Sequence, residues 1–196
     1  LDSVDWRLNS VERMGDLSLR AAGAPRVVDC PYGKAVEFGG EADALFAQSN
    51  PLQGLAQFTL EILFYPAAGG LREQRFFHAG QVHGERVLFE TRLTGDGYWY
   101  LDTFISSGES NCTLLNEDFL HPVDEWYYLA MSCDGKEQIN YVNGSQERRG
   151  AVDFGAQGEG ALAMGVRLNE VCWFKGAIAA VRLTPVALGV DQLLSP

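Results

Sequence analysis

Three acids sit at alternating positions of apolar segments: Glu61 in residues 58–65 (FTLEILFY), Glu90 in 86–93 (RVLFETRL) and Asp102 in 98–105 (YWYLDTFI). Around them the same alternation sets Arg92, Tyr98 and Tyr100, and by analogy Trp126, Tyr128 and Tyr141. On one sheet face this is the chemistry of a saccharide groove, because aromatic faces stack on sugar rings while carboxylates and guanidinium groups hydrogen-bond hydroxyls. The same residue types also describe a polar outer face held by Glu–Arg pairs across strands. Two carboxylates about 5–10 Å apart across a groove would also hydrolyse a glycoside.

A second cluster lies in residues 165–175 (GVRLNEVCWFK), where Arg167, Asn169, Trp173 and Lys175 gather without strand alternation. A loop of this kind at the rim of a fold could clamp an acidic sugar or a peptide, and equally Trp173 and Phe174 could plug a core end. His78, His83 and His121 have no i,i+4 spacing, and Cys30, Cys112, Cys133 and Cys172 form no C-x-x-C pair, so no zinc constellation is present. The four cysteines allow three pairings or free thiols. There is no G-x-S-x-G elbow and no phosphate-binding G-x-x-x-x-G-K-(S/T) loop.

The elements that position these residues are strands. Besides the three segments above, 126–133, 138–143, 161–167 and 177–183 read as strands, with weaker ones at 35–38 and 42–46. Asp-Gly or Asn-Gly in 94–97, 133–136 and 142–145 tolerates positive φ and predicts hairpins, hence antiparallel neighbours. In 58–65, Phe58, Leu60, Ile62 and Phe64 form the core set, leaving Thr59, Glu61, Leu63 and Tyr65 opposite. One short helix is expected at 187–194. The rest predicts an all-β fold of two packed sheets, a single domain over 1–196.

The bulk properties agree. The 196 residues carry 15 Lys+Arg against 26 Asp+Glu, a net charge of −11, which excludes charge-driven binding to nucleic acid or an anionic membrane. No apolar run approaches the roughly 20 residues of a spanning helix. With 46% hydrophobic and 21% charged residues the chain is a folded protein and not a disordered one. Its 22 glycines, scattered without a repeat, fit many tight reversals.

Three blocks resemble the laminin G-like branch of the concanavalin A-like lectin and glucanase superfamily. The first is residues 33–40 (GKAVEFGG) followed by 42–45 (ADAL), and the second is 58–66 (FTLEILFYP). The third runs through Trp126, Ala130, Asp134-Gly135, Tyr141-Val142-Asn143-Gly144 and Phe174-Lys175-Gly176-Ala177-Ile178. The resemblance covers roughly 33–190 and implies a jelly-roll β-sandwich of two antiparallel sheets, with ligands on the concave face or its rim loops.

Departures from the family narrow the chemistry. Its glucanases carry E-x-D-x-x-E or E-x-D-x-E on one strand, whereas 61–64 (EILF) holds one acid. Its calcium sites would use Asp43, but the closing strand reads Ala177-Ile178-Ala179-Ala180-Val181 where acids commonly follow the Ile, so no metal or other cofactor is expected. Gln81-Val82-His83 is similar to the Q-(I/V)-H triplet of jelly-roll alginate lyases, in which Gln and His neutralise a uronate and abstract its proton. The companion motifs have only faint echoes in Arg72-Glu73 and Trp173-Phe174-Lys175.

The resemblance therefore implies a non-catalytic carbohydrate-recognition module, secreted or periplasmic, with no signal peptide visible. The excess negative charge favours a neutral glycan. The alternatives are a polysaccharide lyase or glycoside hydrolase using Glu61, Glu90, Asp102 or His83, and a module that binds a protein partner through its loops.

Overall fold

The computed structural model describes residues 2–194. In chain order the strands begin with β1 (Val4–Arg7), β2 (Arg13–Met14), β3 (Leu17–Ser18), β4 (Arg20–Ala22), β5 (Arg26–Cys30) and β6 (Gly33–Gly39). Next come β7 (Ala44–Ala47), β8 (Phe58–Pro66), β9 (Glu73–Gly80), β10 (Arg86–Leu93), β11 (Tyr98–Ser107), β12 (Ser110–Leu115) and β13 (His121–Pro122). The last are β14 (Tyr127–Cys133), β15 (Glu137–Val142), β16 (Ser145–Ala151), β17 (Ala161–Met164) and β18 (Lys175–Thr184).

Two eight-stranded antiparallel sheets form a jelly-roll sandwich. The first runs β16-β15-β14-β8-β18-β6-β5, with β1 also on β18. The second runs β12-β11-β10-β9-β17-β7-β4, with β13 on β11. The three predicted hairpins join β10 to β11, β14 to β15 and β15 to β16. In the last of these Asn143 and Gly144 both take positive φ, 49° and 77°, which is the backbone an Asn-Gly hairpin turn supplies.

Alternation builds the core. Phe58, Leu60, Ile62 and Phe64 of β8 all point inward and are buried. They meet Phe76, Phe89, Trp99 and Leu101 of the second sheet, with Phe64 stacked on Phe76 at 4.7 Å and edge-on to Trp99 at 5.0 Å. Burying each such side chain stabilises the fold by about 1.5–3 kcal/mol. Polar groups also enter: Gln138 Nε2 and Asn140 Nδ2 of β15 donate to Thr103 Oγ1 of β11 at 2.6 and 2.7 Å, tying the two sheets together through the core.

A bulge in β9 shapes the outer surface. Phe77 pairs with Phe89, yet Glu90 pairs with Arg75, so Phe76 is the extra residue. Two consecutive phenylalanines thereby face the core, and Arg75 emerges outside beside Glu90.

The helix expected at 187–194 is not formed; one 3₁₀ turn, Val190–Gln192, is all that appears there. Side chains of the first sheet compete for this backbone. Leu188 N donates to Thr59 Oγ1, which itself donates to Val186 O, and Leu194 N donates to Glu61 Oε1, each at 2.8 Å. The segment is drawn out as a strap across the sheet. Strands β9 and β16 escaped the sequence reading because charged or doubled aromatic residues break their period of two, and β12 (SNCTLL) because it is short and poor in β-branched and aromatic residues.

Candidate functional site

The outer face of the second sheet carries a floor of opposite charges. Cross-strand register sets Glu90 of β10 between Asp102 of β11 and Arg75 of β9, and Arg92 between Tyr100 and Glu73. Arg92 donates from Nε to Asp102 Oδ2 at 2.8 Å, Arg75 Nε stands 3.0 Å from Glu90 Oε2, and Glu73 pairs with Arg92. Glu90 and Asp102 are 4% and 2% exposed, so solvent does little to screen them. Burial, then Asp102, pushes the Glu90 carboxyl up to about 7 against the pull of Arg75 and Arg92. Burial also raises Asp102, opposed by its bond to Arg92.

Above this floor opens a cleft of about 270 Å³ whose other walls include Arg86, Phe104, Thr113 and Arg167. Arg86 lies over the Phe104 ring at 4.7 Å and donates to Gly84 O at 2.6 Å. Arg167 donates to Val82 O at 2.9 Å. Its loop closes as a turn, with Glu170 N on Arg167 O, and leaves Asn169 exposed at the tip.

Both loops are pinned by His78, a residue the sequence reading considered only for metal spacing. Its Nδ1 accepts from Leu168 N at 3.1 Å, and its Nε2 is 3.0 Å from Gln81 O, to which the neutral tautomer donates. Burial pushes this imidazole down to about 4, with Arg167, Arg86 and Arg75 adding to the effect and the bond to Gln81 O opposing it. A buried histidine between two loop backbones is not legible in a sequence, since its partners lie 3 and 90 residues away.

At the sandwich end a larger cleft of about 700 Å³ is lined by Gly69, Arg72, Gly95 and Tyr100. Tyr100, beside Arg92, lies between the two clefts, and Tyr98 stands 39% exposed at the same end. A side chain on Gly69 would meet Lys175 Nζ, which places the lysine amine near this rim. Trp173 packs instead on Ala44, Phe46, Ala163 and Val166 at the far half of the sheet.

The remaining predicted residues lie elsewhere. Glu61, Trp126, Tyr128 and Tyr141 belong to the outer face of the first sheet, so the three carboxylates do not share one face. Alternation had placed each side chain outward correctly, but outward on β8 and β14 is the opposite side of the sandwich from outward on β10 and β11. Glu61 is 1% exposed, accepts hydrogen bonds from the Tyr128 hydroxyl and Leu194 N, and faces Arg182 Nη1 at 3.5 Å. It borders a pocket of about 200 Å³. Trp126 packs between Tyr32 and Tyr65 at 5.8 and 5.5 Å, and Tyr141 is buried opposite Ala130.

The residues read for other chemistry are occupied structurally. His83 is exposed on a turn outside the cleft, and Gln81 Nε2 donates to Glu159 O at 3.3 Å. Asp43 accepts from Gly39 N and Ala24 N, both at 2.7 Å, and so caps a loop. All four cysteines are free. Among the described residues no three His, Cys, Asp or Glu come together to hold a metal.

Solved structures share this architecture. Domain 4 of AbnA, a GH43 extracellular arabinanase from Geobacillus stearothermophilus in complex with arabinotriose, is 19% identical with a TM-score of 0.66, over 97% of this chain and 85% of that one. The binding domain of Paraclostridial Mosquitocidal Protein 1 is 13% identical with a TM-score of 0.71, over 96% of this chain and 49% of that one. The binding domain of botulinum neurotoxin DC in complex with SialylT is 10% identical with a TM-score of 0.69, over 96% and 49%. The chain thus spans about half the length of the two toxin domains, and at these identities the likeness is one of fold. No curated protein matches the sequence. A family model does, over residues 38–193, and the chain therefore belongs to the laminin G-like concanavalin A-like lectin/glucanase superfamily.

Proposed function

We propose that the chain acts as one non-catalytic module that binds a glycan on the outer face of its second sheet. The observation that carries this reading is the rigid floor of Arg75, Glu90, Arg92 and Asp102, set beside the rings of Tyr100 and Phe104. Fixed charged groups hydrogen-bond sugar hydroxyls, and the Tyr100 ring offers stacking surface, the Phe104 ring lying beneath Arg86. The arabinotriose complex of one structural neighbour, matched over 85% of its length, supports sugar binding as a use of this fold. Glu90 and Asp102 are both buried and engaged by Arg75 and Arg92, which suits binding better than glycoside hydrolysis.

Secretion or a cell-envelope location is part of the same proposal. The arabinanase domain comes from an extracellular enzyme. Among the described residues no helix is long and apolar enough to cross a membrane.

The test is a glycan array followed by calorimetry and a turnover assay on the hits. Binding without product, lost in Arg92→Ala, is the expected result. Cleavage abolished by Glu90→Gln would replace the binding reading with an enzymatic one, and failure of every saccharide to bind would remove it.

A further inference from the structure

The net charge of −11 favours an uncharged ligand, but the cleft on the second sheet has the opposite local balance. Four arginines, Arg75, Arg86, Arg92 and Arg167, line it against Glu90 and Asp102, with Glu73 at its edge. Arg75 and Arg92 are engaged by those three acids.

Arg86 and Arg167 are not. Among the described residues neither is ion-paired with a carboxylate; each spends one guanidinium nitrogen on a backbone carbonyl of the turn at 82–84. A guanidinium has five N–H donors, so most of theirs remain for a ligand, and Arg86 Nε is buried with no hydrogen-bond partner. The two cations are close enough to repel: burial and then Arg167 push Arg86 down. His78, which lies in the field of both, is held neutral between Leu168 N and Gln81 O and adds no third positive charge. An anion here would relieve the repulsion and supply acceptors for the idle donors. The planar fork of arginine matches a carboxylate in two-point contact. The Phe104 ring beneath Arg86 adds an apolar surface beside the charge.

We infer that the glycan is acidic and that Arg86 and Arg167 together bind the carboxylate of a uronate-type sugar in it. This rests on the reading of the cleft as the glycan site.

The experiment uses the intact chain and matched ligands: an oligogalacturonate, the same oligomer with its carboxyls reduced to alcohols, and a sulfated neutral oligomer of equal length. Calorimetry should show the acidic form binding at least about tenfold more tightly than the reduced one, as charge-assisted hydrogen bonds imply. Arg86→Gln and Arg167→Gln should each remove most of that difference by weakening the acidic form more than the reduced one. Arg26→Gln, in an exposed pair on the first sheet, should change nothing. Arg167 sits on a loop, so its variant tests the idea even where Arg86→Gln weakens the β10 strand, and thermal melts check that both fold. Equal affinity for acidic and reduced oligomers would overturn the carboxylate inference while leaving glycan binding intact. Preference for the sulfated oligomer, or arginine variants that weaken both forms equally, would also overturn it. Failure of all three oligomers to bind would overturn the glycan reading itself.

Discussion

Arg75 reaches Glu90 at 3.0 Å because β9 bulges at Phe76. Unbulged, the period of two would have turned Phe76 outward opposite Glu90 and buried the arginine. One inserted aromatic residue thus fills the core and arms the surface at once.

The buried charge of Glu90 makes stability depend on pH. Its folded value of about 7 lies above the ordinary 4.5, so the fold carries the cost of the carboxylate above pH 7 and is relieved of it as pH falls toward 4.5. His78 acts in the opposite sense: its folded value of about 4 lies below 6.5, so stability is lost as pH falls from 6.5 toward 4. Between pH 4.5 and 6.5 the two slopes oppose each other. Urea unfolding across this range should show Glu90→Gln losing stability with acid more steeply than the parent chain. A parallel pair of curves would show that Glu90 does not titrate in this window.

Ligand binding should follow the same group. Glu90 faces Arg75 and, through it, Glu73 on β9, Arg92 and Arg86 on its own strand, and Asp102 on β11. Protonating it adds net positive charge to the cleft, so affinity for an acidic oligosaccharide should rise as pH drops through about 7 and level off below 6. Calorimetry at constant ionic strength reads this directly. Glu90→Gln should show no such rise, and an unchanged rise in that variant would assign the effect to another group.

The two outer faces can be told apart by substitution. Tyr100→Ala should weaken glycan binding about tenfold, in line with the loss of one stacking ring. Trp126→Ala, on the first sheet between Tyr32 and Tyr65, should leave affinity unchanged. The reverse pattern would move the site to the first sheet, beside Glu61.

Thr103 tests the polar bridge inside the sandwich. In Thr103→Val, Gln138 and Asn140 both lose their acceptor in a site closed to water, which should cost about 2–5 kcal/mol. Chemical denaturation measures it. A cost below about 1 kcal/mol would mean that the two amides find other partners.

His78→Leu should free the two loops it joins. Leu168 N and Gln81 O lose their partner, so hydrogen exchange at Leu168 should quicken and acidic-ligand affinity should fall through looser placement of Arg167. Exchange at the parent rate would show that the loop is held without the histidine.

Much of this protein is local and therefore legible. Asn143-Gly144 specifies its hairpin through φ, and Phe58, Leu60, Ile62 and Phe64 declare the inner face of β8 by their spacing. The same period identified Glu90, Arg92, Tyr100 and Asp102 as outward residues that the structure brings together. What alternation cannot encode is which sheet a strand joins, because that depends on pairing between segments far apart in the chain. Glu61 and Glu90 share a pattern and end on opposite sides of the sandwich for that reason. The bulge at Phe76, the strap that replaced a helix at 187–194, and the meeting of Arg86 with Arg167 over His78 are likewise products of long-range contacts. The sequence by itself determined the regularly alternating strands, their hairpin turns and the side each of their residues takes; tertiary pairing decided the remaining strands, the bulge and which of those sides became one surface, since register and sheet order are set by burial of the whole core and not by any segment alone.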